Sequence, residues 1–535
     1  MKRFKDPIYG YIDIEIDIVE NIIDTANFQR LRDVIQTSYA PLYASAVHNR
    51  FVHSIGVYHL GGIAAQSFLM SLNGDSNYKK IKRLAKVFEY ACLLHDVGHA
   101  PFSHTGERYY LGQDSSRTPF HEEIAKLTND NDILKEISEK NYTAAPHELM
   151  SCVVGLKLYA ELFKNDEERS FFVRCITGYK YVENLNETKS ICNCMISLLN
   201  SSVIDVDKLD YLIRDAYITG FNTISIDYER LLTSVQIRKV DEQLYDIVYH
   251  KNAISIIENV IYAHDAERKW IQNHPIVQYD SFLLKHAIET VNRKYNTQLF
   301  SFDSLTMEGR VLGDDLKVSL LSDSDLFFLM KNIADDGLIA EYFSRKDRRH
   351  PLWKSEAEYK SIFNKGYNDK SFIIIENTID DLIKYLNTLN QLSINQAAID
   401  ACEKDIKDTE ALFEGNLAIG SQKVIESKRK SLKWLKCFEN FAKTQKIKFD
   451  FMIIKANRFN SGFGKVAFKN IKIVFPDRQE ICKFDDITNI LDANKSEQER
   501  FFYLFYYRED KKTIDVSALA RELGKLALDE IYPGI

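Results

Sequence analysis

The sequence predicts a mainly α fold: a large helical core with a smaller α+β lobe toward the C-terminus. Three observations predict it. Between about residues 20 and 365 the apolar residues recur mostly at helical spacing. Glycine and proline, the usual interrupters of helices, number only 21 and 9 in 535 residues. After about residue 446 the pattern changes to short runs rich in aromatic and β-branched residues.

In chain order, the alternation in "YIDIEIDIV" predicts a short strand pair within residues 1–20. "IKRLAKVFEYACLLHD" carries apolar residues at 81, 84, 85, 88, 91, 92 and 94 and predicts a helix. "VIDVDKLDYLIRDA" predicts another, with Leu209, Leu212, Ile213 and Ala216 as its buried stripe. From about 377 to 445, "DDLIKYLNTLNQL" and "VIESKRKSLKWLKCFENFAK" predict charged helices, and "FEGNLAIGSQ" (413–422) the turn between them. "FDFMIIKANRF", "GKVAFKNIKIVF" and "FFYLFYYRED" predict strands, and "ALARELGKLALDEIY" a last helix ending at Pro533-Gly534. The expected division is a core over 1–365, a helical insertion or extension over 366–445, and an α+β lobe over 446–535.

Composition narrows the function classes. Hydrophobic residues make up 45% and charged residues 27%, as in folded globular proteins. The net charge of −7 argues against a general nucleic-acid binder, which is usually basic. Eight cysteines at irregular spacing, with no CxxC, predict reduced thiols in a cytoplasmic protein. Cys92 and Cys152 lie in apolar helical runs, and the Cys192/Cys194 pair is a weak metal signal. No apolar run reaches the roughly 18 residues that span a bilayer, and the N-terminus lacks a signal-peptide core.

Eight of the thirteen histidines fall within the first 147 residues, which locates the chemistry there. His53 sits in the helix-like run "HNRFVHSIGVYHL", either as a buried, hydrogen-bonded histidine or as a ligand. His95-Asp96 ends an apolar helix just before Val97-Gly98. It reads equally as a mixed N/O pair suited to Mn²⁺, Fe²⁺, Zn²⁺ or Ni²⁺, or as a helix end capped by Gly98 with His95 on the dipole. Asp207, Tyr211 and Asp215 form a line at i, i+4, i+8 spanning ~12 Å, the reach of an extended nucleotide. The alternative there is a solvated acidic face salt-bridged by Lys208 and Arg214.

Taken together, H…HD…D in this order resembles the HD-domain metal-dependent phosphohydrolases. The strings "HNRFVHSIGV", "LLHDVGHAPFSH", "HELMS" and "IDVDKLDYLIRD" are similar to deoxynucleoside triphosphate (dNTP) triphosphohydrolases, and among them to the animal enzyme that restricts retroviruses by depleting dNTPs, without its N-terminal interaction domain. "DPIYGYIDI", "IIDTANFQRLR" and "LLSDSDLFFLM" carry the same resemblance, which spans most of 1–365 and, more loosely, 446–510. The 377–445 helices have no counterpart.

The resemblance implies an HD helical core and a set of roles. His53, His95, Asp96 and Asp207 would hold a divalent metal (Mn, Fe, Mg, Zn or Ni), a Lewis acid that lowers the pKa of its water. His104, Glu107 and His147 would manage protons near the α-phosphate; the family commonly shows Asp where this chain has Glu107. His121, also followed by Glu, is the alternative to His147, but only "HELMS" keeps the serine four residues on. His99, Arg50, Lys208 and Tyr211 would contact the triphosphate, Asp215 the sugar 3′-hydroxyl, and Gln36, in a loop one residue shorter than in the animal enzyme, the sugar. Lys2, Asp24, Gln29 and Arg32 match an activating guanine-nucleotide (GTP or dNTP) site at a subunit interface. The other reading makes Asp24 a helix N-cap and Arg32 a partner on that helix face. The implied activity is hydrolysis of dNTPs to deoxynucleoside and inorganic triphosphate by a homo-oligomer, dimer or tetramer. An HD phosphodiesterase or nucleotidase on another nucleotide, and a catalytically silent nucleotide-sensing scaffold, are the alternatives. The cyclic-dinucleotide branch typically carries HDxGK, against His95-Asp96-Val97-Gly98-His99 here.

Overall fold

The protein is described by a computed structural model covering all residues except 38–40, 73–76, 112–114, 222–224, 242–243, 296–298, 313–315, 334, 364–368, 414–418, 457–465, 478–479, 489–500, 510–511 and 532–535. Helices predominate, joined by a few small sheets. Two compact units interleave along the chain: Met1–Ile271, Leu284–Asp336 and Asn460–Ser496 form one, and Gln272–Leu283, Gly337–Phe459 and Glu497–Ile535 the other.

The first unit begins with an antiparallel hairpin, Lys2–Asp6 against Gly10–Ile14. Asp6 accepts the amides of Ile8 and Tyr9 to close the turn, and Gly10 supplies the left-handed conformation (φ 76°). The expected alternation stops at Ile14. Ile18, Val19, Ile22 and Ile23 are buried at helical spacing, so the chain turns into a short helix and a π-turn over Val19–Ile23.

Four helices carry the residues of interest: Arg50–Ser71, Tyr78–Leu94, Pro146–Leu158 and Val206–Thr219. Asn49 caps the first by accepting the Val52 amide at 3.3 Å. Gly61 lets it pack closely on the second: a Cβ there would lie 2.5 Å from Cys92 Sγ. The Val206–Thr219 helix departs from the predicted stripe. Leu209 and Leu212 are buried, but so are Asp210, Arg214 and Asp215, while Ile213 and Ala216 are half-buried. Its polar face is therefore turned inward.

Two strands, Val235–Lys239 and Tyr245–His250, interrupt the region expected to be helical; Val235 and Ile237 alternate inward. Lys472–Phe475 pairs parallel to Tyr245–His250, with Glu480–Lys483 beyond it. Part of the C-terminal sequence thus completes a sheet of the first unit. In the second unit, Phe502–Tyr507 lies between Arg349–Pro351 and Asp450–Lys455. Its first five residues are all buried, as a central strand covered on both faces requires. Trp353, Trp434, Phe451 and Leu519 belong to that core. The expected turn over 413–422 falls largely outside the described residues; the helices flanking it are Gln396–Leu412 and Ile419–Gln445. Pro533-Gly534 also lies outside them. Among the described residues no helix is long and apolar enough to cross a membrane.

Candidate metal and phosphate site

His53 lies one turn into the Arg50–Ser71 helix, His95 just past the end of Tyr78–Leu94, and Asp207 in the first turn of Val206–Thr219. Asp205 starts that last helix by accepting the Lys208 amide at 2.8 Å. The helix dipole then favours the Asp207 carboxylate.

These side chains converge. His53 Nε2 is 3.0 Å from Asp207 Oδ1, 3.3 Å from His95 Nε2 and 3.5 Å from Asp96 Oδ2. His95 Nε2 is 3.5 Å from Asp96 Oδ1 and 3.6 Å from Asp207 Oδ1. Ligands ~2.1 Å from one cation stand ~3.0–3.4 Å apart in octahedral or tetrahedral arrangement, so the spacing fits a shared divalent ion. The outer nitrogens agree. His95 Nδ1 donates to the Cys92 carbonyl at 2.9 Å, and His53 Nδ1 faces Asp210 Oδ2 at 2.7 Å. Both arrangements leave the Nε2 lone pair for a metal.

Electrostatics tell the same story. Burial pushes the His53 imidazole down, yet Asp207, Asp210 and Asp96 more than offset it and hold it up to about 9. Burial raises the Asp207 carboxyl, but His53 and His95 pull it well below its ordinary value. Both shifts have one cause: the carboxylates gathered here favour positive charge at this point.

Sequence reasoning missed the support for His53. Asp210 is fully buried and accepts from Arg214 through both oxygens at 2.9 Å and from the Tyr9 hydroxyl at 2.8 Å. Arg214 also pairs with Asp6 at 3.0 Å. A Cβ on Gly56 would lie 1.9 Å from Asp210 Oδ1, so only glycine admits this carboxylate. The signal was present: Asp210 is three residues from Asp207, as Gly56 is from His53.

A second cluster adjoins the first. Glu107 joins His104, at 3.2 Å, to His147, whose Nδ1 contacts the other carboxylate oxygen. The His147 amide also reaches Glu107, at 3.4 Å. The His99 ring stacks on His147 at 4.0 Å, and its Nε2 is 3.3 Å from Asp96 Oδ1. Burial lowers His147, but Glu107 raises it to about 9; burial raises Glu107, but His147 and His104 draw it well down. Burial, then Arg50 and His147, push His99 well below its ordinary value, so it is neutral. His121 stands apart, 3.1 Å from the Tyr179 hydroxyl. The "HELMS" residues have distinct tasks. Glu148 accepts the Ala145 amide at the helix start, and Ser151 Oγ accepts the Gly98 amide at 2.9 Å. A Cβ on Gly98 would lie 2.3 Å from the Ser151 nitrogen.

The remaining expected contacts surround these clusters. Arg50 is buried and donates to Asp96 (2.7 Å), Ser103 (2.9 Å) and the Gln36 carbonyl (3.2 Å). Lys208 donates to the Ser201 carbonyl and Asp205, not to a carboxylate along the outer face. Asp215 Oδ1 meets His48 Nε2 at 2.6 Å; its Oδ2 and Gln36 Oε1 are buried with no hydrogen-bond partner. Tyr211 is half-buried, and burial raises its phenol well above the ordinary range. Farther out, Lys2 pairs with Asp24 at 3.3 Å, and Arg32 donates to Gln29 at 2.8 Å and covers Phe51. Thr25, not Asp24, occupies the N-cap position of the following helix. Cys192 and Cys194 are buried in one helix and belong to no metal-competent group among the described residues.

Residues 50–153 match the family model of the HD domain. An uncharacterized protein of Mycoplasma pneumoniae is 28% identical over 263 residues, 48% of this chain and 53% of that protein. The deoxynucleoside triphosphate triphosphohydrolase SAMHD1 homologue of Dictyostelium discoideum is 28% identical over 289 residues, 54% of this chain and 48% of that protein. SAMHD1 of Xenopus laevis is 29% identical over 273 residues, 48% of this chain and 42% of that protein. The chain therefore spans about half the length of the curated relatives it matches. Two solved structures share the fold. A hypothetical protein of Aquifex aeolicus has a TM-score of 0.53 at 17% identity, covering 99% of both chains. A phosphohydrolase of Bacteroides thetaiotaomicron has a TM-score of 0.53 at 16% identity, covering 95% of this chain and 100% of that one.

Proposed function

We propose that this HD-domain chain hydrolyses dNTPs to deoxynucleoside and inorganic triphosphate. The observation that carries the reading is the convergence of His53, His95, Asp96 and Asp207 beside the His104–Glu107–His147 group. His53, His95, Asp96 and Asp207 would hold a divalent cation, which would supply Lewis acidity and lower the pKa of a water. The SAMHD1 likeness, which covers about half the chain, supports a dNTP as substrate.

The chain's own residues account for the protons. His147, held cationic by Glu107, is suited to donate to the departing 5′-oxygen. His104 is largely exposed and shares the same carboxylate, so it can exchange protons with solvent. Neutral His99 can donate its one ring N–H to a phosphate oxygen. The open Oδ2 of Asp215 can accept from a sugar hydroxyl. Arg50 holds Asp96 and Ser103, and its charge, with Lys208 and Tyr211, is proposed to meet the triphosphate. Lys2, Asp24, Gln29 and Arg32, whose pairs are mostly exposed, are proposed to take an activating guanine nucleotide in a homo-oligomer.

Turnover of each dNTP and NTP with Mn²⁺ or Mg²⁺, alongside Asp207→Ala, tests the reading. The variant should lose both metal binding and hydrolysis; retained activity removes Asp207 from the ligand set.

A further inference from the structure

We infer that Arg30 and Asp323 form a two-point clamp that sets the position of the His99–His104 loop, making them positioning residues for the proton-handling histidines. The inference rests on the triphosphohydrolase reading for its catalytic consequence, but its structural basis is independent.

Phe102 and Ser103 lie consecutively in the left-handed region, at φ 56° and 52°. Side-chain-bearing residues rarely adopt it, so the surroundings must impose it. Arg30, buried, donates from Nη2 to the carbonyls of Val97 and His99, both at 2.9 Å, and from Nη1 to the Leu321 carbonyl at 2.8 Å. Asp323, also buried, accepts the Phe102 amide on Oδ1 at 2.7 Å and the Ile35 amide on Oδ2 at 2.9 Å. Ser103 Oγ donates to the Ile35 carbonyl and accepts from Arg50 Nε at 2.9 Å. A cation thus holds carbonyls at the loop's start, and a carboxylate holds an amide near its end.

The Asp323 side is itself braced. Ser322 donates to Asp33 at 2.7 Å, and Asp325 accepts the Ser322 amide at 2.8 Å, fixing the start of the helix Asp323–Lys331. The residues so held include His99, stacked on His147, and lead into His104. Arg30 and Asp323 contact only backbone groups in these bonds, so they act through the loop.

The test compares wild type with Asp323→Asn, which keeps one acceptor but turns an NH₂ toward an amide, and Asp323→Ala, which removes both acceptors. Three quantities are read: Mn²⁺ affinity by calorimetry, amide exchange of residues 97–105 in the metal-free protein, and steady-state kinetics. Exchange over 99–104 should rise roughly tenfold or more in Asn and further in Ala. Mn²⁺ affinity and KM should stay within about threefold while kcat falls roughly 10- to 100-fold. Unchanged exchange over 99–104, or raised exchange with unchanged kcat, overturns the clamp. So does loss of Mn²⁺ affinity in step with kcat, which marks Asp323 as a general structural residue. If wild type turns over no dNTP, the functional reading fails, while exchange still decides whether the clamp holds the loop.

Discussion

Replacing Glu107 by Gln removes the charge that holds a proton on His147 while keeping the side chain's size. The His147 and Glu107 side chains are only 11% and 13% exposed, so solvent screens the pair little. A rise from 6.5 to about 9 corresponds to about 3 kcal/mol at ~1.4 kcal/mol per unit. The sign follows from linkage. Because the folded value lies above the unfolded one, this contribution is complete below about 6.5 and is lost as pH rises through about 9. The depressed Glu107 carboxyl reports the same coupling from its other end, losing it as pH falls below the ordinary carboxylate range. In metal-free wild type, ring NMR should place the His147 midpoint near 9. In Glu107→Gln it should fall markedly, because burial still acts downward and only the weaker pull of Glu148 and Asp96 remains to oppose it. Urea unfolding at pH 6 and pH 9.5 should show the variant losing less stability than wild type across that interval, by up to about 3 kcal/mol. His53, also held up to about 9, gives both proteins a similar remaining slope. A wild-type midpoint near 6.5, or one that Glu107→Gln leaves in place, refutes the pairing.

Gly56→Ala drives a Cβ into Asp210 and should weaken Mn²⁺ binding roughly 10- to 100-fold by disturbing the partner of His53, as calorimetry would show; unchanged affinity removes Asp210 from that role. Ser151→Ala leaves the Gly98 amide without its acceptor and should cost about 1–3 kcal/mol in urea unfolding, against no measurable change if the bond is dispensable. Hydrolysis of dATP or dCTP should rise on adding GTP and lose that response in Lys2→Ala and Arg32→Ala. No GTP effect, with no change in oligomer size by light scattering, leaves these residues as the surface pairs they form.

The helical body was legible because its apolar spacing is regular, and the two histidine clusters because unusual residue types recur in short strings. What escaped depends on contacts distant in sequence. Nothing local shows that Lys472–Phe475 pairs with Tyr245–His250, more than 200 residues earlier, or that Asp323 accepts the Phe102 amide. On the Val206–Thr219 helix, Arg214 reads as a partner for a solvated acidic face, whereas it and Asp210 satisfy each other in the interior. The intramolecular hydrogen bonds of Arg50 to Asp96 and of Lys208 to Asp205 are likewise invisible in the sequence.

The most direct test of the central claim is ³¹P NMR of a dNTP incubated with the protein and Mn²⁺ or Mg²⁺ in ¹⁸O-labelled water. Attack at the α-phosphorus with departure of the 5′-oxygen predicts inorganic triphosphate carrying the label, together with unlabelled deoxynucleoside. Monophosphate and pyrophosphate as sole products, or label in the deoxynucleoside, would contradict it.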